Sequence, residues 1–342
     1  MKFAPLFIAL VVAAFAVPAQ AAVEVLACEP EWAALATEIG GTLVAAESAT
    51  TPQQDPHYIQ ARPSLIAKVR RAALVICTGA DLEVGWLPLL LRQAGNGAVQ
   101  PGQPGNLDAS QFVEMLDKPS SVDRSLGDVH PYGNPHLQTD PRNVAKVAAA
   151  LADRLAKLDP SNAATYEQRY DDFAKRWSAA VERWTAAVAP LKGKSIVTHH
   201  KGWAYLENWV GLVEVGNLEP KPGLPPSAAH LAELLDQLRG KPVALIVRST
   251  YEDGKASEWL GSRTMIPYVV LPHTVGSVAQ DGLDLGAEAV DVRGADEGPR
   301  RHHHRHHGDR DQHDGHQHLD DRGSRVATRR CGPRGKIGRA HV

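Results

Sequence analysis

The chain carries almost no net charge, few cysteines and, past its first residues, no long apolar run. Lys and Arg number 37 against 39 Asp and Glu, so the formal net charge is −2. This balance gives no electrostatic reason to expect nucleic acid or an acidic membrane surface as the main partner. No segment after residue 17 is apolar enough to predict a transmembrane helix. With 43% apolar residues in 342, the composition is that of a globular protein with room for two domains.

Residues 1–21 are predicted to be a cleavable signal peptide. Lys2 precedes an apolar run at residues 3–17, which is too short to span a bilayer comfortably. The run is followed by Ala19-Gln20-Ala21, the small-x-small pattern of a signal peptidase site. We therefore expect cleavage after Ala21 and export to the periplasm.

Cysteine is scarce, with three in the whole chain. Cys28 and Cys77 each end an apolar strand-like run, VEVLAC and AALVIC. In an oxidising compartment two cysteines of one domain often pair, and adjacent parallel strands would bring these two together. Two buried free thiols fit the sequence equally well, so the pairing stays open at this point.

Residues 286–342 break the pattern of the rest of the chain. They are rich in Arg, Gly, Asp and His, and include RRHHHRHHGDRDQHDGHQH at 300–318. Such histidine-rich runs bind zinc, so a metal-scavenging tail is one interpretation. We favour another, because this composition is typical of a shifted reading frame in GC-rich DNA and the final KIGRAHV resembles a translated sequencing adapter. The fold prediction below therefore excludes residues 286–342.

Two segments alternate short apolar strands with helices, which predicts parallel α/β structure in each. Residues 22–160 form the first lobe, with strands in VEVLAC, TLVAAE and AALVICTG. Residues 191–285 form the second lobe, with strands in KSIVTHH, GLVEVGN, KPVALIVRS and PYVVLPH. The predicted fold is therefore two α/β lobes, each built on a parallel sheet.

One long helix is predicted between the lobes, within residues 161–190. Ser161 is a candidate cap and Pro190 a terminator. Apolar and aromatic side chains recur at steps of three and four, at Tyr166, Tyr170, Phe173, Trp177, Val181, Trp184 and Val188. At 1.5 Å per residue the helix would be roughly 40 Å long, so we expect a rigid connection between the lobes.

The stretch GDVHPYGNPHLQTDP at residues 127–141 holds two histidines, His130 and His136. It runs directly into a predicted helix, for which Asp140 is an N-cap candidate and Pro141 occupies the first position. A Pro- and Gly-rich loop is an ordinary place for histidine. The pattern of the other histidines decides whether this loop is functional.

Outside the tail seven histidines are present: His57, His130, His136, His199, His200, His230 and His273. Four loops from the two lobes each bring histidine close to a strand end or a helix start, at His57, His136, His199-His200 and His273. In open parallel sheets ligands gather outside the carboxyl ends of the strands. Histidines from several such loops are what a metal site between two lobes requires. His230 lies in the middle of a predicted helix, so a structural role is expected for it.

Three motifs resemble, in the same order, the ligand motifs of a known family. DPHYIQARPS, NPHLQTDPRNVAKVA and HHKGWAYLENWVGL are similar to those of the zinc/manganese-type metal solute-binding proteins of bacterial ABC importers, the class with a rigid backbone helix. The resemblance covers about residues 23–285. It implies that His57, His136 and His200 are metal ligands.

The same resemblance implies a fourth ligand in the loop after the last strand, where LPHTVGSVAQD offers His273, with Asp281 as the alternative. Zinc-binding members often carry a loop rich in His and Asp in the first lobe. Here only His130 corresponds to it, and we keep His130 as an alternative metal contact.

The resemblance implies a monomeric binding protein that captures Zn²⁺ between its lobes and delivers it to an ABC permease. Imidazole-rich sites suit zinc, whereas manganese, the alternative cargo, prefers carboxylates. A zinc hydrolase is an alternative function, because three histidines and an open position would serve catalysis. The sequence has no HExxH and no general-base Glu beside a ligand, so we do not expect an enzyme. A periplasmic metal chaperone or an adhesin-like relative is the remaining alternative.

Overall fold

The computed structural model describes residues 21–121 and 123–277. Residues 1–20 of the expected signal peptide, Asp281 and the tail at 286–342 lie outside this range. The described part contains two four-stranded parallel sheets, which confirms the predicted fold class. None of the helices in this part is long and apolar enough to cross a membrane.

The first sheet has the strand order β2-β1-β3-β4. Its strands are β1 (Val23–Ala27), β2 (Val44–Ser48), β3 (Leu74–Cys77) and β4 (Asn106–Asp108), and its helices are α1 (Pro30–Gly40), α2 (Pro63–Arg71) and α3 (Leu87–Ala94). All neighbouring strands pair in parallel. Every residue of β3 is buried, as expected for a central strand covered on both faces. The edge strand β4 was not predicted, because three residues of mixed polarity carry no periodic signal.

The helix α4 (Pro141–Leu158) begins where the sequence predicts it. The Asp140 carboxylate accepts a hydrogen bond from the backbone N–H of Arg142 at 2.8 Å, and Pro141 occupies the first helical position. This cap satisfies one of the backbone donors that the first turn of a helix leaves without an intrahelical partner. It also fixes the direction in which the chain leaves the loop that carries His136.

The helix α5 (Ala163–Val188) is the predicted long helix, flanked by short 3₁₀ turns at Pro160–Asn162 and Ala189–Leu191. The predicted cap was wrong, because the Ser161 hydroxyl donates to the Asp159 carboxylate at 2.7 Å instead of capping α5. The helix packs along α4, where the Trp177 indole N–H donates to the Pro141 carbonyl at 2.8 Å.

The second sheet has the order β6-β5-β7-β8 and is again parallel throughout. Its strands are β5 (Ser195–Thr198), β6 (Val213–Asn217), β7 (Leu245–Ser249) and β8 (Tyr268–Leu271), and its helices are α6 (Ala204–Val210), α7 (Ala228–Gln237) and α8 (Lys255–Thr264). Ser227 caps α7, since its hydroxyl accepts a hydrogen bond from the backbone N–H of His230. The order in which strands are added to the sheet reverses between β5 and β7, which places a crevice at their carboxyl ends.

One side chain from α6, a helix that follows the second sheet's strand β5, packs in the hydrophobic core of the first sheet. Tyr205 of α6 is 2% exposed and packs in the same cluster as Trp32, Leu151 and Tyr166. Its hydroxyl donates to the carbonyl of Asn134 at 2.8 Å and accepts from the backbone N–H of Leu116 at 3.1 Å. This contact ties α6 to the loop that precedes His136.

A disulfide joins Cys28 and Cys77 at the carboxyl ends of β1 and β3, which resolves the alternative that the sequence left open. Two buried glutamates lie beside it. Glu29 accepts from the Thr78 hydroxyl at 2.9 Å, and Glu83 accepts from the backbone N–H of Thr78 at 2.8 Å. Burial raises the pKa of Glu83 to about 7. Burial, together with the charge of Glu83, raises the pKa of Glu29 well above its ordinary value.

Replacing Tyr205 with Phe is expected to lower the free energy of unfolding by about 1–3 kcal/mol, because the Asn134 carbonyl and the Leu116 N–H lose their partner in a buried place. Urea unfolding of the chelator-treated protein measures the change. The matched control is Tyr268→Phe, since Tyr268 is 47% exposed. Equal stability of the two variants would contradict the structural role given to the Tyr205 hydroxyl.

Glu83→Gln is expected to flatten the dependence of stability on pH. The folded protein holds a proton on Glu83 up to pH of about 7, whereas the unfolded chain releases it near pH 4.5. The folded state thus binds more protons across this window, so the stability of the wild type falls as pH rises from about 4.5 to 7. Thermal unfolding at pH 5.5 and pH 8 should show a smaller loss for the variant. An equal loss in both proteins would contradict the prediction.

Candidate metal site

Four histidines from four loops lie at the edges where the carboxyl ends of the two sheets are found. His57 lies in the loop between β2 and α2, and His136 in the loop before α4. His200 lies two residues after β5, and His273 two residues after β8. The parallel topology explains this placement, because parallel strands of one sheet all end at the same edge.

His57, His136 and His200 form a compact group, which we call the histidine triad. One ring nitrogen from each lies within 4.8 Å of the corresponding nitrogens of the other two. The Nε2 atoms of His136 and His200 are 3.3 Å apart. The ring centroids are 5.3 to 5.5 Å apart. Such spacing lets three imidazoles converge on one ion.

The triad is almost completely withdrawn from solvent. His136 is 1% exposed and His200 is 9% exposed, and the His57 side chain is 8% exposed. The His57 Nε2 atom is buried without a hydrogen-bond partner. A buried polar atom without a partner costs free energy, so a cation at this position would satisfy it.

Two carboxylates orient the rings of the triad. The Nδ1 atom of His57 lies 2.6 Å from the Asp55 carboxylate, and Nδ1 of His200 lies 2.8 Å from the Glu219 carboxylate. Glu219 also accepts from the backbone N–H of Gly223 at 3.0 Å, which fixes the carboxylate itself. When Nδ1 donates to a carboxylate, the lone pair of Nε2 is left for a metal.

The site favours neutral imidazole at His136. Burial, and then the neighbouring histidines, lower the pKa of His136 well below its ordinary value. At His200 burial also opposes the charge, but the hydrogen bond and charge of Glu219 outweigh it and raise the pKa. A proton on His200 therefore competes with a metal ion for this ring.

His273 lies next to the triad but outside the group whose nitrogens converge. Its ring centroid is 5.1 Å from that of His136, and its Nδ1 lies 3.4 Å from the Gln138 amide nitrogen. Its Nε2 is buried and has no hydrogen-bond partner, and burial lowers its pKa to about 4. The neutral ring and its unpartnered nitrogen are compatible with a fourth ligand. Asp281, the alternative, lies outside the described residues.

Gly202 has no side chain, and this leaves room for the histidine rings to come together. A Cβ atom at this position would lie 3.4 Å from the His200 ring, 3.5 Å from the His136 ring and 3.5 Å from Nε2 of His273. Any side chain here would therefore extend among three of the four rings. The glycine of the HHKGWAY motif thus has a steric reason at the site.

The other histidines differ in their distance from the triad. The ring centroid of His130 is 5.3 Å from that of His57, its Nε2 is buried without a partner, and burial lowers its pKa to about 4. His199 is buried on the side of the cavity described below. His230 donates from its ring to the carbonyl of Asn217 at 2.9 Å, which agrees with the structural role expected for it.

A cavity of about 540 Å³ leads to the triad. Its wall includes His57 and His200 together with Asp55 and Glu219, whereas His136 is not among its described lining residues. Further acidic side chains, Asp128, Glu252 and Asp253, line the same cavity. The excess of carboxylates favours a cation on its way to the rings.

Sequence reasoning missed the two orienting carboxylates. Asp55 stands two residues before His57, so the DPH motif contained a local signal for it. Glu219 is nineteen residues from His200, and the contact arises because the backbone N–H of Glu219 donates to the carbonyl of His199 beside β5. No spacing rule predicts such a pair.

A family model described as the zinc-uptake complex component A, periplasmic (ZnuA), matches residues 25–282. The high-affinity zinc uptake system protein ZnuA of Brucella abortus is 26% identical over 155 residues, which cover 45% of this chain and 46% of that protein. The matched region thus spans about half the length of that curated relative. The protein of the same name from Paracoccus denitrificans is 25% identical over 323 residues, covering 82% of this chain and 95% of the relative.

A solved structure described as the crystal structure of ZnuA has the same fold, with a TM-score of 0.63 and 23% identity. The likeness covers 74% of this chain and 92% of the other. The family model matches about three quarters of the chain, including all the histidines of the site. The chain therefore belongs to the ZnuA family of periplasmic zinc-uptake components.

Proposed function

We propose that this protein captures Zn²⁺ in the periplasm and delivers it to the permease of an ABC importer. It acts as a binding protein, the role that the family supports, rather than as an enzyme. We also expect it to act as a monomer. The observation that carries the proposal is the buried histidine triad, with its rings oriented by carboxylates at the end of an acidic cavity. The curated relatives are named as zinc uptake proteins, which agrees with this cargo.

The proposed ligands are His57, His136 and His200, with His273 as the fourth. The triad supplies three nitrogen donors that lie within 4.8 Å of one another, and zinc takes four ligands in tetrahedral geometry. His273 is preferred as the fourth because its unpartnered Nε2 lies on the buried side of the site, beside His136. His130, whose ring lies beside His57, is the alternative contact within the described residues.

In the proposed architecture, lobes at residues 22–160 and 191–285 are joined by the helix at 161–190. The ion enters through the acidic cavity, and slight closure of the lobes about the helix brings His273 to it. Opening at the permease reverses this movement and releases the ion. The triad spans both lobes, since His57 and His136 belong to the first and His200 to the second, so ligation and closure favour each other.

The donor chemistry favours zinc over manganese. The two carboxylates that contact the proposed ligand rings are Asp55 and Glu219. Each accepts a hydrogen bond from the Nδ1 atom of a ring and so orients that ring. This leaves a set of imidazole nitrogens, which zinc prefers and manganese does not. The same engagement argues against a hydrolase, because neither carboxylate is left to activate water as a general base.

Replacing His136 with Ala is expected to weaken zinc binding by more than about 100-fold, because a side chain that would contact the metal directly is lost. Loss of a group that only hydrogen-bonds to a metal ligand already lowers metal affinity about 10- to 100-fold. Competition with a chromophoric chelator measures the affinity. In wild type, free zinc at 100 times its dissociation constant should stabilise the fold by about 2.7 kcal/mol, seen as a rise in melting temperature.

His230→Ala is the matched control for His136→Ala, because His230 bonds to a backbone carbonyl away from the triad. It should retain the zinc-dependent rise in melting temperature. A wild-type protein that is folded after chelator treatment but gains no stability from zinc would overturn the proposed function.

The affinity for zinc is expected to fall with decreasing pH through protonation of His200. Because the pKa of His200 is raised above its ordinary 6.5, this ring takes up a proton as pH falls, and zinc must displace that proton. Affinity then decreases by up to about tenfold per pH unit for each proton displaced.

Glu219→Gln tests the cause of this pH dependence. Removing the charge lowers the pKa of His200, so the decline should begin at a lower pH than in wild type. At pH 8, affinity should drop by about 10-fold, because the ring is held less firmly. Zinc titrations between pH 5.5 and pH 8 distinguish the two effects. An unchanged pH profile in the variant would show that Glu219 does not set the proton affinity of His200.

A further inference from the structure

A second group of metal-ligating atoms lies away from the histidine triad. The sulfur atoms of Cys28 and Cys77 and a carboxylate oxygen of Glu83 lie within 4.8 Å of one another, and all three residues are buried. Cys28 is 1% exposed, Cys77 5% and Glu83 3%. We call this group the thiol-carboxylate cluster. It lies where β1 and β3 end.

Glu29 adds a second oxygen donor, and so a fourth candidate ligand, beside the cluster. It follows Cys28 directly, is 4% exposed, and its Oε1 atom is buried with no hydrogen-bond partner. Its other oxygen is held by the Thr78 hydroxyl and backbone N–H, at 2.9 and 3.2 Å.

The charge balance of the cluster favours a cation. Burial, and then the charges of Glu83 and Glu31, raise the pKa of Glu29, so these two neighbouring charges have the same sign as its own. Among the described residues, the ion pairs found elsewhere do not involve Glu29 or Glu83. Two buried carboxylates without a counter-charge are costly unless they keep a proton or bind a cation.

We propose that reduction of the Cys28–Cys77 disulfide converts the thiol-carboxylate cluster into a second divalent-metal site, with both sulfurs and Glu83 as ligands and Glu29 as the fourth. Zinc binds cysteine sulfur and carboxylate oxygen in tetrahedral sites, so the donor set suits it. This site is separate from the triad and does not depend on the proposed function.

The chain would hold the donors close together after reduction. The strands β1 and β3 are paired in parallel along three residue pairs, and the backbone N–H of Cys28 donates to the carbonyl of Ile76 at 2.8 Å. These bonds do not involve the sulfurs. The Glu83 carboxylate is likewise fixed by the backbone N–H groups of Thr78 and Gly79. Reduction therefore breaks one bond in a framework that other bonds maintain.

The reaction requires a two-electron reductant, which we take to be a dithiol. Its thiolate attacks one sulfur of the disulfide, and the second thiol of the reductant completes the exchange. The dithiol becomes a disulfide, and Cys28 and Cys77 become thiols with two added protons. Metal binding then releases both thiol protons, and a carboxyl of Glu29 or Glu83 that still carries a proton releases it when its oxygen ligates the ion. Reoxidation reverses these steps and expels the ion.

Cobalt(II) reports on the site, because thiolate ligation produces an intense near-ultraviolet charge-transfer band that nitrogen ligands do not. The full-length protein is titrated with Co²⁺ in its oxidised form and after reduction by a phosphine, which does not itself supply thiols. We expect one equivalent without this band in the oxidised protein. The reduced protein should bind a second equivalent, and the band should grow with that equivalent.

Variants separate the cluster from non-specific binding. Cys28→Ala/Cys77→Ala should lose the band and the second equivalent, and Glu83→Gln should weaken the second equivalent at least tenfold. Glu207→Gln is the matched control, since Glu207 is another carboxyl whose pKa burial raises, to about 8, but it lies on α6 away from the cluster. It should behave as wild type.

Two results would overturn the proposal. One is a reduced protein that is folded by circular dichroism but binds a single equivalent without the band. The other is a reduced protein that unfolds even when Co²⁺ is present, because the site requires the framework of β1 and β3. Failure of the triad would instead appear as loss of the first equivalent in the oxidised protein.

Discussion

A divalent ion gives up its water only where several donors are already in position to replace it. In the proposed function, the structure meets this constraint by holding imidazole rings in a buried space before an ion arrives. His136 is kept neutral by burial, and Asp55 and Glu219 turn the rings of His57 and His200 so that Nε2 is left for the ion. The parallel sheets, the capped helix α4 and the glycine at 202 all serve this arrangement, because each determines where one ring can lie.

Much of this arrangement was predictable from local patterns. Alternating strands and helices predicted two parallel sheets. The Asp-Pro start of α4 could also be predicted, because helix capping depends on residues that are neighbours in sequence. The three histidines of the triad followed from motifs in which the functional residue and its flanking residues stand together. Their convergence agrees with the resemblance, while their role as ligands stays a proposal.

The rest depends on contacts between residues that are distant in sequence. The pairing of Glu219 with His200 arises from the way β5 and the chain after β6 end side by side. The disulfide could not be decided, since only the register of β1 against β3 brings Cys28 to Cys77. The cap expected from Ser161 failed because its hydroxyl found the nearby Asp159 carboxylate. The short strand β4 carried no periodic signal at all.

Tyr205 has a consequence for how far the molecule can move. Its ring is built into the core beneath the first sheet, although the chain around it leads from β5 into the second. A wide separation of the lobes would pull this aromatic ring from the core and break both hydrogen bonds of its hydroxyl. A motion that preserves these contacts must therefore be small at Tyr205. A transporter that recognises this protein would have to distinguish its loaded and empty forms by local changes at the rim of the cleft, not by a large change of shape.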